Sequence, residues 1–239
     1  MIYVAASSKS LAVLQRIFEY KLKHLEKRFL IFDFGCTISP REMEIEKPDI
    51  VVYSSGTELE IDLMELWSSG DVLLNFDCFH IFSEKFLSLV GTASANFHPS
   101  LLPNYRGTNP INWGLFNGEK NWGFTWHVIE KGLDAGDIIF QKKFSLPDGA
   151  SQFDIMGLCL MEGLKSIPLV LKSLDNPKED SNSILFNPGS YFGSEDHPTI
   201  YISNIDDALR YQKILPFSPV KSWRWGATVY GLRVTALSD

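Results

Sequence analysis

The sequence predicts an α/β fold: a mostly parallel central sheet with helices on both faces, and a small C-terminal appendage ending in a β-hairpin. Short β-prone runs alternate with segments whose apolar residues recur at helical spacing as far as Leu174. Alternation of that kind builds βαβ units, whose strands run parallel under helices. The chain has 239 residues, 45% of them apolar and 21% charged, which suits one α/β domain plus an appendage. Beyond the polar stretch Asp175–Ser183 the pattern changes to clustered turn residues and short apolar runs. Residues 1–175 are therefore expected to form the main domain and residues 184–239 a small C-terminal region.

Each element follows from its own pattern. Ile2–Ala6 is β-prone and runs into the turn Ser7-Ser8-Lys9-Ser10. Leu11, Val13, Leu14, Ile17, Phe18 and Leu22 then mark a helix face. Arg28–Phe34 and Asp49–Tyr53 read as strands, Leu59–Trp67 as an amphipathic helix, and Asp71–Phe76 as another strand. Ser83 caps a short helix over Glu84–Leu89, and the strand Ala93–Phe97 follows. Later, Gln141–Leu146 reads as a strand and Asp148–Leu174 as a long helix that Pro168 should bend or break. Trp223–Val234 is expected to fold as a hairpin turning at Tyr230-Gly231.

Several classes of function lose ground on composition. A net charge of −7 disfavours nucleic acid as substrate, because phosphate backbones are gripped by many Lys and Arg side chains. Cys36, Cys78 and Cys159 stand in no metal-ligand or disulfide spacing, which suggests reduced thiols in a cytoplasmic protein. The N-terminal apolar run is too short for a signal peptide, and no run approaches the roughly 20 residues that span a bilayer. The first turn holds no glycine, unlike the Gly-rich turns that cradle dinucleotides. Ser8 and Lys9 either hold an anion with the following helix N-terminus or belong to a simple helix cap.

Chemistry concentrates in Asn96–Gln141. Period-two alternation puts Asn96 and His98 on one side of their strand and Phe97 on the other. At the carboxyl end of a parallel strand, that side faces the crevice where open α/β sheets bind ligands. An amide that donates to a developing oxyanion and an imidazole that takes a proton are what acyl transfer needs. A cap and a buried structural histidine are the bland alternative. Neither a serine hydrolase on Ser100 nor a zinc site on Cys78, His80 and His98 has its supporting motif.

Asn96-Phe97-His98, Ser100-Leu101-Leu102-Pro103 and Asp134-Ala135-Gly136 together resemble the formyltransferases that use N10-formyltetrahydrofolate, over roughly Lys47 to Leu146. The resemblance implies a Rossmann-like formyltransferase fold, metal-free chemistry, and N10-formyltetrahydrofolate as formyl donor. It implies that Asn96 binds the formyl oxygen, His98 accepts the amine proton and Asp134 orients or charge-stabilises His98, with Asp137 a competing candidate. It places the folate against Phe79, His80 and Phe82, mainly through main chain, against Leu102 and Pro103, and against Glu130 and Lys131.

The run Tyr105–Glu119 is most similar to the enzymes that formylate nucleotide-linked amino sugars. That likeness implies an amino-dideoxy sugar on dTDP or UDP as acceptor, for a surface polysaccharide, with Ser8, Lys9, Tyr105, Arg106, Asn109 and Trp113 as contacts. Trp113 lines the acceptor pocket or packs in the core. Some sugar enzymes of the family dimerise through a C-terminal hairpin; here Trp223–Val234 either builds a homodimer or packs on itself. A formyltetrahydrofolate hydrolase, formyltransferases acting on methionyl-tRNA or glycinamide ribonucleotide, and a non-catalytic folate- or nucleotide-binding module are the competing readings.

Overall fold

The computed structural model describes residues 1–7, 24–32, 50–76, 78, 80–175, 189–193, 199–202, 228–229 and 232–236. The expected helix after Leu11, Ser8, Lys9, Phe79, Cys36, Trp223 and Trp225 lie outside them. The described contacts divide the chain into two compact units. One comprises Met1–His98, Thr125–Phe140 and Gly163–Phe186; the other comprises Pro99–Phe124, Gln141–Glu162 and Asn187–Asp239.

A seven-stranded sheet organises the fold. Its strands are β1 (Ile2–Ser7), β2 (Lys27–Phe32), β3 (Ile50–Tyr53), β4 (Val72–Phe76), β5 (Ser94–His98), β7 (Asn121–His127) and β8 (Ile138–Ser145), in the order β3-β2-β1-β4-β5-β7-β8. The first five pair in parallel and β7 runs antiparallel to β5. This is the mostly parallel α/β sheet that the alternating pattern predicts. The order turns back at β1, between β2 and β4, the kind of switch point beside which α/β sheets bind ligands.

Helix α1 (Gly56–Leu66) and helix α2 (Glu84–Val90) supply Leu59, Leu63, Phe86 and Val90 to an apolar cluster with Tyr3, Ala5, Leu30 and Leu73. Alternation sends Phe76, Phe97 and Trp126 to the opposite face, where Phe76 and Phe97 stack at 4.6 Å between centroids. Trp126 packs on both rings and its Nε1–H donates to Ser166 Oγ at 3.0 Å. Gly163 lies so close that a Cβ there would meet Phe97 Cε2 at 2.3 Å.

The long helix, α4 (Gln152–Asp175), begins later than expected. It starts at Gln152 rather than Asp148 because Ser151 and Asp154 cap it reciprocally. Ser151 N–H donates to Asp154 Oδ2 at 2.8 Å, and Asp154 N–H donates to Ser151 Oγ at 3.3 Å. It also passes through Pro168 without ending. Proline removes one helical donor there, while buried Leu164, Ile167 and Val170 keep the flanking turns in place. Strand β8 begins at Ile138, earlier than Gln141, and β5 extends one residue to include His98.

Arg106 and Gly107 form β6 (Arg106–Gly107) and pair in parallel with β9 (Tyr191–Phe192). Helix α3 (Pro110–Phe116) follows β6. A separate sheet has the order β10-β12-β11, with β10 (Thr199–Ile202), β11 (Thr228–Val229) and β12 (Leu232–Ala236). Val229 faces Leu232 in antiparallel register, across the turn expected at Tyr230-Gly231. Among the described residues, no helix is long and apolar enough to cross a membrane.

Candidate active site

The face that carries the apolar cluster ends in polar groups at the carboxyl ends of β4 and β5. Asn75 pairs with Asn96 across the parallel strands, and Asn96 pairs with His127 across the antiparallel ones. Alternation therefore aims Asn75, Asn96, His98 and His127 to one side while Phe76, Phe97 and Trp126 fill the other. Asp134 arrives from the segment after β7, in the left-handed region at φ 49°, a conformation Asp tolerates better than most residues.

Distances knit these groups together. His98 Nδ1 lies 3.5 Å from Asp134 Oδ2, and both side chains are more than nine-tenths buried. Asp134 Oδ1 lies 3.5 Å from His127 Nε2 and 3.5 Å from Asn96 Nδ2. Asn96 Nδ2 is 3.0 Å from His127 Nε2, and Asn96 Oδ1 is 2.8 Å from Asn75 Nδ2. The three residues picked from sequence, Asn96, His98 and Asp134, are thus brought into one cluster. Asp137 is placed differently: its main-chain oxygen accepts from Val128 N–H at 2.9 Å.

Hydrogen-bond logic fixes the orientations. Val128 C=O accepts from His127 Nδ1 at 2.8 Å, and a carbonyl cannot donate, so Nδ1 carries the proton. The other ring nitrogen, Nε2, meets Asn96 Nδ2 at 3.0 Å and Asp134 Oδ1 at 3.5 Å. At the other end Asn75 Nδ2 donates to Cys78 C=O at 3.1 Å and to Asn96 Oδ1. The Asn96 amide is therefore held with its nitrogen toward His127 and Asp134.

His127 and Asn75 were not among the residues singled out by sequence. Asn75 is the one polar side chain near the carboxyl end of an apolar parallel strand, the signal that picks out Asn96, whereas His127 closes an antiparallel strand to which that signal does not apply. Gly136 of the Asp-x-Gly turn also gains a reason. A Cβ there would sit 2.0 Å from Val128 O, the carbonyl that anchors His127. Gly136→Ala is expected to displace that carbonyl and lower kcat by about tenfold. Steady-state kinetics alongside a melting curve would check it; unchanged kcat would show that the approach is not critical.

The loop expected to hold folate is braced from below. Glu60 Oε2 accepts from His80 Nε2 at 2.9 Å and from Ser83 N–H at 3.0 Å, while Ser83 Oγ–H donates to Glu60 Oε1. Ser83 Oγ also accepts from Phe86 N–H, capping α2 as predicted. Phe82 is buried, stacked on Phe86 at 4.8 Å and edge-on to His80 at 5.0 Å. Both side chains are thus engaged with the protein itself, which leaves main-chain groups to meet a ligand.

Burial pushes the Glu60 carboxyl up, but the bonds from Ser83 and His80 outweigh it, so the group lies below its usual 4.5. A carboxyl depressed on folding stabilises the fold above that value, and the gain is lost as pH falls through the folded one. Glu60→Gln is expected to cost about 1–2 kcal/mol at pH 7, with the gap from wild type closing below about pH 4. Urea titrations at the two pH values would check this; a gap that does not change with pH would remove the linkage.

Of the other predicted folate residues in this unit, Glu130 and Lys131 line a groove of about 410 Å³ with Glu84, Leu87, Ser88 and Val128. Lys131 Nζ reaches Glu84 Oε1 at 2.6 Å, an exposed pair of the sort that contributes little to stability.

The second unit holds the remaining candidates. Leu102 is buried, and its carbonyl accepts from Gln141 Nε2 at 2.8 Å; Pro103 follows it through a cis peptide. Tyr105 O–H donates to Glu119 Oε1 at 2.7 Å; burial first, then that carboxylate, pushes the phenol up to about 12. Arg106 lies over the Tyr191 ring at 5.9 Å, and Asn109 begins α3 in the left-handed region without a side-chain capping bond. Trp113 is half-buried and stacks on Phe192 at 4.2 Å between centroids.

Comparison with known proteins adds what geometry cannot. Residues 57–169 match the formyl transferase family, with the whole cluster inside the match. This segment is a formyl transferase domain. It is similar to the GDP-perosamine N-formyltransferase of Brucella melitensis, 28% identical over 155 residues, which is 65% of this chain and 52% of that protein. It is also similar to the methionyl-tRNA formyltransferase of Lactobacillus acidophilus, 33% identical over 161 residues, 63% of this chain and 50% of that protein. The chain spans about half the length of these curated relatives. The N-formyltransferase of Helicobacter canadensis, solved with folinic acid and dTDP-3-aminofucose, superposes with a TM-score of 0.66 at 17% identity, covering 90% of this chain and 80% of that one. That likeness establishes the fold around the domain.

Proposed function

We propose that this chain is an N-formyltransferase that moves the formyl group of N10-formyltetrahydrofolate to the amine of a nucleotide-linked amino-dideoxy sugar. The observation that carries the reading is the cluster itself: the amide N–H of Asn96 and the imidazole of His98, each 3.5 Å from the Asp134 carboxylate, inside a formyl transferase domain. That donor set fits a formyl group, which needs an uncharged donor at its oxygen and a base beside its carbon. Main chain at His80 and Phe82, with Glu130 and Lys131, and Leu102 with Pro103, are the groups proposed to hold the folate. When bound, it supplies an acyl carbon attached to a nitrogen leaving group.

The residues then divide the work. Asn96 Nδ2–H donates to the oxygen on which negative charge gathers. His98, whose Nδ1 faces Asp134, takes the amine proton at Nε2 as the new C–N bond forms, and the same proton is returned to the departing nitrogen. Asp134 favours the charged ring that exists between those two transfers. Bonds of this type are commonly loose before substrate arrives and shorten when it binds.

The sugar acceptor is supported by the GDP-perosamine enzyme, by the complex with dTDP-3-aminofucose, and by the net charge of −7, which disfavours tRNA. Ser8, Lys9, Tyr105, Arg106, Asn109 and Trp113 remain the proposed acceptor contacts, with dTDP or UDP as the nucleotide. A cytoplasmic enzyme serving surface polysaccharide synthesis, dimeric through its C-terminal region, completes the proposal.

The test is incubation with N10-formyltetrahydrofolate and a panel of amines: dTDP-, UDP- and GDP-linked 3- and 4-amino sugars, glycinamide ribonucleotide and methionyl-tRNA. Mass spectrometry is expected to show a gain of one formyl group on a nucleotide sugar. Formylation of methionyl-tRNA alone, the activity of the second relative, would overturn the sugar reading; formate released without any amine would favour the hydrolase.

A further inference from the structure

An asparagine side chain is ambivalent: half a turn about its last torsion exchanges donor and acceptor with almost no change in shape. Asn96 can stabilise an oxyanion in only one of those two states, so something must select it. His127 does so from one side: Val128 C=O takes its Nδ1–H, and its Nε2 lies 3.0 Å from Asn96 Nδ2. Asn75 does so from the other, because both its bonds are donated from Nδ2, one to Cys78 C=O and one to Asn96 Oδ1. The polar chain Cys78–Asn75–Asn96–His127–Val128 ends on a main-chain carbonyl at each side. Reversing Asn96 would turn two good bonds into two pairs of facing acceptors or donors.

We propose that Asn75 is a positioning residue for formyl transfer, holding the Asn96 amide nitrogen toward the reacting oxygen. The proposal rests on the formyltransferase reading. Three observations favour it over a packing role. Asn75 is only 7% exposed, in an apolar strand where leucine would fill the space with no polar atom to satisfy. Among the described residues its Oδ1 has no hydrogen-bond partner, so every bond given for the side chain leaves from Nδ2. Its strand register sets it directly beside Asn96.

Two variants separate the possibilities. Asn75→Leu removes the donor to Asn96 Oδ1. It is expected to lower kcat about five- to tenfold, the cost of one hydrogen bond, with KM for donor and acceptor little changed and the melting temperature lowered, because Cys78 C=O and Asn96 Oδ1 each lose a donor. Asn75→Asp offers an acceptor where Asn96 needs a donor, and so favours the reversed amide. It is expected to lower kcat roughly a hundredfold, with partial recovery as pH falls and the new carboxyl becomes a donor.

A readout without substrate accompanies these: the nitrogen spectrum of the His127 ring. Wild type should show Nδ1 protonated and Nε2 bare, and Asn75→Asp should show Nε2 protonated. Equal kcat in both variants and wild type, or losses that track melting temperature with an unchanged His127 spectrum, would overturn the proposal. A wild-type protein that formylates no amine would overturn the enzyme reading instead, and the His127 spectrum would then decide the lock alone.

Discussion

Replacing His98 by alanine is expected to lower kcat by about 10²–10⁴-fold, the usual share of a positioned acid–base group. KM for the formyl donor should hardly move, because His98 meets the proton and not the body of the folate. Asp134→Asn should lose a similar amount, since the amide keeps the left-handed backbone but removes the charge that faces His98 at 3.5 Å. Residues that act as one unit are far from additive, so the double variant should be little worse than either single one. Turnover followed by folate absorbance, with melting curves to confirm folding, gives the answer. Wild-type turnover in both single variants would dismiss the cluster as the catalytic centre.

The other large effect concerns stability. Trp126→Ala should cost about 3–5 kcal/mol, the range for emptying a large buried aromatic site. Trp126 is fully buried and packs on Phe76 and Phe97, and its indole N–H bonds Ser166. A loss of that size is a large part of the roughly 5–15 kcal/mol that holds a typical domain together. Trp126→Phe, which keeps most of the volume but not the N–H, should lose less. Urea denaturation of the three proteins would rank them; a cost under 1 kcal/mol for the alanine variant would mean that the rear face of the site strand is not held as described.

How much of this was legible in the sequence depended on whether the signal was local. Asn96 and His98 were readable because two residues on one strand share a side by simple alternation. The alternation of strands and helices was readable for the same reason. Asp134 was placed by the motif it belongs to, not by any local pattern. Asn75 and His127 escaped because their meaning lies in pairing across strands, 21 and 31 positions away from Asn96. At Pro168 the helix continues because buried turns on either side outweigh the local propensity. The β6–β9 pairing joins residues 85 positions apart and left no mark in either segment.

The two supports of the site should differ in time as well as place. Asn96 and His98 lie on a strand wedged between the apolar cluster and the Phe97–Trp126 packing, whereas Asp134 follows an exposed run from Glu130 to Leu133. Segments with little buried surface open locally, and paired core strands open only with the whole fold. Backbone amides of β5 should therefore exchange with deuterium near the global unfolding rate, and those of residues 131–134 far sooner. The carboxylate would then come and go many times while the amide and imidazole stay put, so that occupancy of the charged partner, and not strand geometry, sets how often the three groups are together.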